Sequence, residues 1–314
     1  MVEQRVEVGI YLPQVGFTYD EIVERARWVE EFGFHSLWLF DHIFFEGMDL
    51  PTFEGWTLAT ALLAQTRTLR VGHLVLCANF RHPVLLGKMA STLDAISAGR
   101  LMLGLGSGSV EDEHRRAGFP WGTFADRTER LEETLEIVTR MLAGERVSFD
   151  GAHYAMADVP SSPAPAARPP VIVGGGGART LELVAKYADW WNCPTYSLSE
   201  LETKIALLHE TCARVGREPA TIRLSTESVL ALAPTERDVP DVTALAERRF
   251  GAGAWGLHAT EHVGTPETVV RRLREAIGMG VTFFVFFLHD RVGRSTLQLL
   301  AEEVVPHLND GDRT

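Results

Sequence analysis

Residues 171–187, which read VIVGGGGARTLELVAKY, show the unit from which the chain is built. Three β-branched residues, Val171–Val173, predict a buried strand, because such residues fit a pleated surface that is covered on both faces. Four glycines follow, and Ala178–Tyr187 then places apolar side chains at helical spacing. Strand, glycine turn and helix in succession form a β–α unit, and Trp190–Cys193 begins the next one.

The same alternation extends from this unit in both directions along the chain. The predicted strands are short apolar runs: Val6–Leu12, Ser36–Phe40, Leu69–Cys77, Leu101–Leu105, Val171–Val173, Trp190–Cys193, Ile222–Leu232 and Val281–Leu288. The predicted helices are longer segments with apolar residues every three or four positions: Tyr19–Phe32, Trp56–Gln65, Val84–Ser97, Phe124–Ala143, Ala178–Tyr187, Ser199–Val215, Pro266–Ile277 and Ser295–His307.

Eight β–α units predict a (β/α)8 TIM barrel, folded as a single domain over residues 1–314. A doubly wound sheet is the alternative, because alternation alone does not reveal whether the sheet closes. Val147–Met156 predicts a small hairpin inserted in the barrel, and the prolines of Pro160–Pro170 predict a connector. The segment that leads to His262 has no clear period. In a barrel, functional residues are expected directly after the strands.

The chain is acidic, with 42 Asp and Glu residues against 30 Lys and Arg residues and a net charge of −12. Such a surface repels nucleic acid and anionic membranes, so we expect neither as a partner, and an anionic small molecule needs a local cluster of donors. The three cysteines form no Cys-x-x-Cys pair, which indicates a reducing compartment without disulfides or a zinc site. We see no secretion signal and no apolar run of the roughly 20 residues that span a membrane, so we expect a cytoplasmic protein.

The pair Asp41-His42 follows the second predicted strand. In a barrel this position lies at the mouth, where an imidazole can act as a general acid or base near neutral pH. We predict His42 as the catalytic acid–base residue and Asp41 as the carboxylate that orients it. The alternative is a structural histidine that caps a loop.

The segment Gly174–Thr180 follows the fifth predicted strand and leads into a helix. Backbone N–H groups at a helix N-terminus, a guanidinium and a hydroxyl together favour a phosphate. We therefore predict a phosphate cradle, made by Gly175, Gly176, Gly177, Arg179 and Thr180.

The other strand ends carry weaker signals. Asn79–Pro83, after the third strand, is interpreted as mainly structural, with Asn79 kept as a candidate cofactor contact. In the turn after the fourth strand, Gly106 and Ser107 are either a close approach to a ligand or a tight turn without one. The charge run Glu111–His114 is interpreted as a solvated face, and Cys77 as a small buried residue.

Several strings, in this order and spacing, resemble the bacterial luciferase-like monooxygenases. They are GFHSLWLFDH at 33–42, GHLV at 72–75 with RHP at 81–83, SAGRLMLGLGSG at 97–108 and the glycine-rich segment 174–192. Phe53-Glu54-Gly55-Trp56 and the glycines that precede Tyr187-Ala188-Asp189 are most similar to the branch that uses the 8-hydroxy-5-deazaflavin coenzyme F420.

The resemblance implies a (β/α)8 barrel, commonly a homodimer, with the cofactor ring in the mouth. It implies that the phosphate lies on the fifth-strand glycines and that His42 lies near the reactive edge of the ring. It also implies that Leu74 and Val75 contact the ring through a bulge that contains a non-prolyl cis peptide bond.

Some family residues have no counterpart in this chain. The reactive thiol of luciferase falls on Gly106, and the arginine that helps to bind FMN phosphate falls on Ser107. The glutamate and the tryptophan of the family's glucose-6-phosphate dehydrogenase fall on Ser109 and Glu46. These departures argue against light emission, weaken FMN as the cofactor and make that sugar doubtful as the substrate.

We therefore expect an enzyme: an F420-dependent oxidoreductase that transfers a hydride between the cofactor and a small organic substrate. The first alternative is an FMN-dependent monooxygenase, which would consume dioxygen. The second is a flavin-binding protein without catalysis.

Overall fold

The computed structural model of this chain describes residues 5–44, 50–165, 167–251, 256 and 262–309, so Glu46 lies outside the described residues. Strands alternate with helices along most of the chain. The strands are β1 Glu7–Tyr11, β2 Ser36–Leu39, β3 Arg70–His73, β4 Leu76–Cys77, β5 Leu101–Gly106, β6 Val147–Asp150, β7 Ala155–Val159, β8 Val171–Gly174, β9 Trp190–Cys193, β10 Arg223–Leu232, β11 Val263–Gly264 and β12 Val281–Leu288.

The helices surround the sheet. They are α1 Tyr19–Glu31, α2 Gly55–Gln65, α3 Pro83–Ser97, α4 Glu111–Ala117, α5 Phe124–Leu142, α6 Ala178–Tyr187, α7 Leu201–Val215, α8 Val239–Phe250, α9 Pro266–Gly278 and α10 Arg294–Glu303. Within the described ranges, no helix combines the length and apolar character that crossing a membrane requires.

The sheet closes into a parallel barrel. Its strands pair in the order β1, β2, β3, β5, β8, β9, β10 and β12, and β12 pairs with β1 again. The β1–β12 ladder joins Gly9 to Val285 and Tyr11 to Phe287. This closure confirms the predicted (β/α)8 barrel and excludes the doubly wound alternative.

Side chains on each strand alternate between the helical layer and the barrel interior. On β12, Phe284 and Phe286 pack against the helices, whereas Phe283 and Val285 face inward. The alternation matters for function, because the register tells which polar side chains of a strand point into the barrel.

Local sequence explains where the helices begin and end. Thr18 accepts a hydrogen bond from the Glu21 N–H, and the Glu21 carboxylate accepts one from the Thr18 N–H, so a capping box starts α1. Gly33, at φ +74°, ends that helix in the left-handed conformation that glycine tolerates.

Three elements differ from the sequence predictions. The third strand is interrupted between His73 and Leu76 and so forms β3 and β4. The charge run after β5 forms the short helix α4, and the segment without a clear period contains α8. The hairpin is present as β6 and β7, which pair antiparallel.

Candidate active site

His42 meets a buried carboxylate at the mouth of the barrel. Its Nδ1 lies 2.9 Å from Oε2 of Glu113, a side chain of α4 that is only 2% exposed. The other carboxylate oxygen of Glu113 accepts hydrogen bonds from the backbone N–H groups of Ile43 and Phe44. Glu113 therefore fixes both the His42 ring and the loop that carries it.

Electrostatics keep the Glu113 carboxylate ionised. Burial acts to raise its pKa, but hydrogen bonds from the His42 ring and the Ile43 N–H outweigh that effect and lower the pKa. An ionised acceptor at Nδ1 holds a proton there, so Nε2 becomes the basic nitrogen of the ring. The interpretation of Glu111–His114 as a solvated face was wrong for Glu113 and for His114, both of which are buried.

Asp41 has a different role from the one that the sequence predicted. Its two carboxylate oxygens accept hydrogen bonds from the Arg81 guanidinium at 2.7 and 2.8 Å, and one of them also accepts the Cys77 N–H. Arg81 binds Glu54 as well. Asp41 thus ties β2 to the segment after β4, and the carboxylate that orients His42 is Glu113.

The Leu74–Val75 peptide bond is cis, which confirms the expectation drawn from the family resemblance. The Val75 side chain fills space above three glycines of β5 and β8. A Cβ atom at Gly104, Gly106 or Gly174 would lie 3.2, 2.4 or 3.1 Å from a Val75 methyl group. Gly106 therefore makes room for Val75, and the segment 74–75 reaches into the mouth.

The Leu74 carbonyl is held from across the barrel. The Tyr11 hydroxyl donates a hydrogen bond to it at 3.2 Å, and the Tyr11 ring stacks on Phe287 with 3.9 Å between ring centroids. Burial raises the Tyr11 pKa well above 10.0, with Glu227 and Asp41 acting in the same direction, so this hydroxyl stays protonated. The bulge therefore has a fixed hydrogen-bond partner.

The predicted phosphate cradle lies where β8 leads into α6. Gly177 begins that helix without a side-chain cap, so the first N–H groups of α6 have no capping side chain as acceptor. A Cβ atom at Gly176 would lie 2.3 Å from the Ser197 hydroxyl oxygen, so this hydroxyl lies directly against the glycine turn. Thr180, also predicted, is buried beside Gly175.

Arg179 does not face this cradle in the structure. Its guanidinium binds Glu132 and Glu182, each at 2.7 Å. The expectation that Arg179 supplies the cationic donor is therefore corrected, because two surface carboxylates already hold the guanidinium. A Lys204 carbon instead lies 3.8 Å from the Cβ position of Gly176, and the Lys204 ammonium pairs with Glu200 at 3.0 Å.

Asn79 carries an unsatisfied acceptor. Its amide nitrogen donates to the Pro120 carbonyl at 3.1 Å, but Oδ1 is buried and has no hydrogen-bond partner among the described residues. A buried acceptor of this kind usually has a partner. Asn79 is therefore suited to receive a hydrogen bond from a ligand, and its role as a cofactor contact stays a prediction.

Cys77 is not a nucleophile here. Its Sγ lies 3.3 Å from His114 Nε2, but burial raises the Cys77 pKa to about 12, so the thiol stays protonated. Ser107 lies in the turn between β5 and α4 and is half-buried. Within the described ranges, no group of three or more His, Cys, Asp and Glu side chains is arranged to hold a metal ion.

Glu227 was missed by the sequence predictions. Register pairs it with Val285, so it faces the barrel interior, and it hydrogen-bonds with the Asn192 side chain and the Thr195 backbone. Burial raises its pKa to about 8, although those hydrogen bonds act to lower it. The signal was available, since Glu227 is a lone charge within the otherwise uncharged run 224–232.

Comparison with known proteins gives a family match. A model of the luciferase-like monooxygenases matches residues 2–255. An F420-dependent glucose-6-phosphate dehydrogenase from Microbacterium testaceum is 26% identical over an alignment of length 325, which covers 93% of this chain and 94% of that protein. An F420-dependent hydroxymycolic acid dehydrogenase from Mycobacterium tuberculosis is 26% identical over 217 residues, or 68% of this chain and 60% of that protein.

A solved structure supports the same fold. The coenzyme F420 dependent tetrahydromethanopterin reductase from Methanopyrus kandleri superimposes with a TM-score of 0.79 and 18% identity, over 97% of this chain and 99% of that one. At that level of identity the likeness shows the fold alone.

Proposed function

The chain belongs to the luciferase-like monooxygenase family, and on that premise we propose that it is an F420-dependent oxidoreductase. It transfers a hydride between the deazaflavin and a small organic substrate. Two relatives that carry F420 dependence in their names match it, one of them over 93% of this chain. The structural observation that supports the proposal is the composition of the barrel mouth. It combines hydrogen-bond donors for an anion, a buried acceptor without a partner among the described residues, and an acid–base pair.

The donors of the mouth suit the phosphate of F420. The first N–H groups of α6 and the Ser197 hydroxyl would bind it. The phosphate of F420 is a diester with a single charge, so it needs fewer cations than a phosphomonoester. The glycines at 175–177 keep the backbone open to it, and Asn79 Oδ1 accepts a hydrogen bond from the cofactor.

Leu74 and Val75 would hold the cofactor ring. F420, when bound, supplies two-electron hydride chemistry. Val75 would present an apolar surface to one face of the ring and leave the other face to the substrate. His42, with its proton held on Nδ1 by Glu113, uses Nε2 to take a proton from the substrate or to return one.

An FMN-dependent monooxygenase is the second candidate. FMN ends in a phosphomonoester with a charge near −2, which needs more positive charge around it than a diester does. Ser107 stands where the resemblance places an FMN-binding arginine, and Arg179 is held by Glu132 and Glu182. The third candidate, a flavin-binding protein without catalysis, would not need the hydrogen-bonded His42–Glu113 pair.

The substrate is a small organic molecule. The named relatives act on different substrates, and the counterpart residues Ser109 and Glu46 do not match those of the sugar dehydrogenases. Titration of the purified protein with F420 and with FMN tests the cofactor assignment.

We further propose a single-domain homodimer in the cytoplasm. Leu85 and Ile96 of α3 are 55% and 59% exposed, so burial of these two side chains against a second copy would stabilise a dimer. Light scattering on the eluting protein tests the dimer.

A further inference from the structure

The turn after β12 lies at the mouth of the barrel and begins with an inward-facing histidine. On β12, Phe283, Val285 and Phe287 pack in the interior cluster. The ladder between β10 and β12 continues to His289, whose backbone N–H donates a hydrogen bond to the Leu230 carbonyl at 3.0 Å. Because side chains alternate along a strand, the His289 ring is directed inward like that of Phe287.

The His289 ring has a buried nitrogen without a partner. The residue is 5% exposed, and its Nδ1 has no hydrogen-bond partner among the described residues. Burial lowers the His289 pKa, although Asp290 acts to raise it, so the ring is neutral near pH 7 and carries one N–H donor. A buried polar atom of this kind usually has a partner. The ring is therefore suited to bind a ligand in the mouth.

Three arginines meet at this turn from different elements. Arg249 of α8 donates from Nη1 to the His289 carbonyl at 2.7 Å. Arg25 of α1 donates from Nε to the Arg291 carbonyl at 3.3 Å. Arg291 belongs to the turn and donates to the Val15 carbonyl. The fold thus gathers three guanidinium groups beside the inward-facing histidine.

The three positive charges lie close enough to act on one another. The guanidinium carbons of Arg25 and Arg291 lie 4.3 and 3.8 Å from the centroid of the same Phe17 ring. Burial lowers the Arg291 pKa, and the charges of Arg249 and Arg25 lower it further. An anion bound among these groups would relieve their mutual repulsion.

No carboxylate neutralises this cluster in the part of the chain that the structure describes. The hydrogen-bond acceptors of the three guanidinium groups there are backbone carbonyls. Two carboxylates in the same region have other partners: Glu21 accepts the Thr18 N–H, and Asp290 accepts the Gly293 N–H. In a chain with a net charge of −12, such a local excess of positive charge favours an anionic ligand.

The turn after β12 and His42 lie on the same side of the mouth. Only β1 separates β12 from β2, so the ends of β12 and β2 are about 10 Å apart at the usual strand spacing. Aromatic rings line the way between them. The Tyr11 ring stacks on Phe287, and Phe250 of α8 packs against Phe287 with 6.1 Å between ring centroids. A molecule that reacts at His42 can therefore extend along apolar rings to the turn.

We propose that the turn after β12 binds an anionic group of the substrate, a carboxylate or a phosphate, through Arg249, Arg291 and His289. This inference rests on the proposed function and narrows the substrate class. The anionic group lies about 10 Å from the carbon that exchanges the hydride. The guanidinium groups supply charge and paired N–H donors that match the oxygens of either anion, and the His289 ring supplies one more donor.

The first test needs no cofactor. Chemical-shift titration of the isotope-labelled, cofactor-free protein at constant ionic strength compares benzoate, phenyl phosphate and benzyl alcohol, which share an aromatic ring and differ in charge. We expect at least one of the two anions to bind wild type at least about fivefold more tightly than the alcohol, because charge-assisted hydrogen bonds are the stronger ones. The tighter anion distinguishes a carboxylate site from a phosphate site. Binding of neither anion above the level of benzyl alcohol would overturn the proposal.

A matched pair of variants assigns that binding to the cluster. Arg249 and Arg248 are adjacent on α8 and both exposed, so either can be replaced without disturbing the core. We expect Arg249→Gln to weaken the tighter anion at least about fivefold and Arg248→Gln to leave it unchanged. The comparison also separates this turn from the N-terminus of α6, which either variant leaves intact. Equal affinity in wild type and Arg249→Gln would overturn the proposal.

The second test uses F420 and separates substrate from cofactor. Fluorescence titration should give Arg249→Gln the same Kd for F420 as wild type, within about twofold. An equal loss of affinity for F420 and for the anion would assign the cluster to the cofactor and overturn the substrate site. Failure of wild type to bind F420 would overturn the proposed function, whereas the titration with the two anions would still decide whether the turn binds an anion.

Discussion

Glu113 Oε2 lies 2.9 Å from His42 Nδ1, although 71 positions separate the two residues along the chain. The carboxylate next to His42 in sequence, Asp41, is bound instead by Arg81. This exchange of partners decides which mutations should affect catalysis and which should affect stability.

The preference for F420 over FMN should follow from the charge of the phosphate that each cofactor carries. We expect F420 to bind with micromolar or better affinity and FMN to bind at least about tenfold more weakly, a difference of about 1.4 kcal/mol. Fluorescence titration with both cofactors measures this. Tighter binding of FMN would favour the monooxygenase.

The His42–Glu113 pair should control turnover. We expect His42→Ala to lower kcat by roughly 10²–10⁴ with any substrate that the wild type accepts, and to change F420 affinity only a few-fold. Glu113→Gln should lower kcat by about tenfold, because the amide orients the ring less strongly than a carboxylate does. Glu111→Gln, on the exposed side of the same helix, serves as the control. Equal turnover in His42→Ala and wild type would make His42 structural.

Substitution of Asp41 should lower the stability of the fold. Asp41→Asn breaks a bidentate pair with Arg81 whose side chains are 4% and 12% exposed, so we expect a loss of about 3 kcal/mol in the free energy of unfolding. Asp158→Asn, which breaks the exposed pair with Arg146, should cause no measurable loss. Urea denaturation compares the two, and similar midpoints for both variants would contradict the buried-pair argument.

The stability cost of a substitution at Gly106 should depend on the side chain at position 75. Gly106→Ala places a Cβ atom 2.4 Å from a Val75 methyl group, so overpacking should cost about 1–3 kcal/mol. Val75→Ala removes that methyl group and leaves a 3.6 Å contact to its Cβ, so the double variant should recover most of the loss. Gly278→Ala, with open space around it, is the control. Thermal unfolding of the four proteins measures the coupling, and additive losses would refute it.

The raised pKa of Glu227 should make the free energy of unfolding fall as the pH rises. Its folded pKa of about 8 exceeds the ordinary value of 4.5, so the folded protein holds a proton that the unfolded chain has released. Stability should therefore fall by up to about 1.4 kcal/mol per pH unit between these values.

The stabilities of wild type and Glu227→Gln are best compared between about pH 6.5 and 8. Below that range His35 and His262, whose pKa values burial lowers to about 4, also take up protons on unfolding and obscure the effect of Glu227. Denaturant midpoints of wild type should fall across this window, and those of Glu227→Gln should change less. Parallel curves would show that Glu227 is ionised in the fold.

Local sequence was sufficient to locate nearly all the barrel strands and most helices. Strands such as Trp190–Cys193 and Val281–Leu288 match the predicted bounds, because a run of apolar residues between turns carries its own signal. The helix α4 was missed, since six of its seven residues are polar and show no apolar period. The position of His42 at the mouth could also be predicted, because His42 follows β2 and the strand ends of a barrel meet at one face.

Tertiary structure alone decided the partners within that face. The sequence by itself determined that His42, the glycines at 175–177 and the segment 74–75 come to the mouth. Only folding placed Glu113 at His42, turned Arg179 to surface carboxylates and set Glu227 inside the barrel. The physical reason is that strand and helix patterns depend on neighbours in sequence, whereas hydrogen bonds and burial depend on elements brought together from distant parts of the chain.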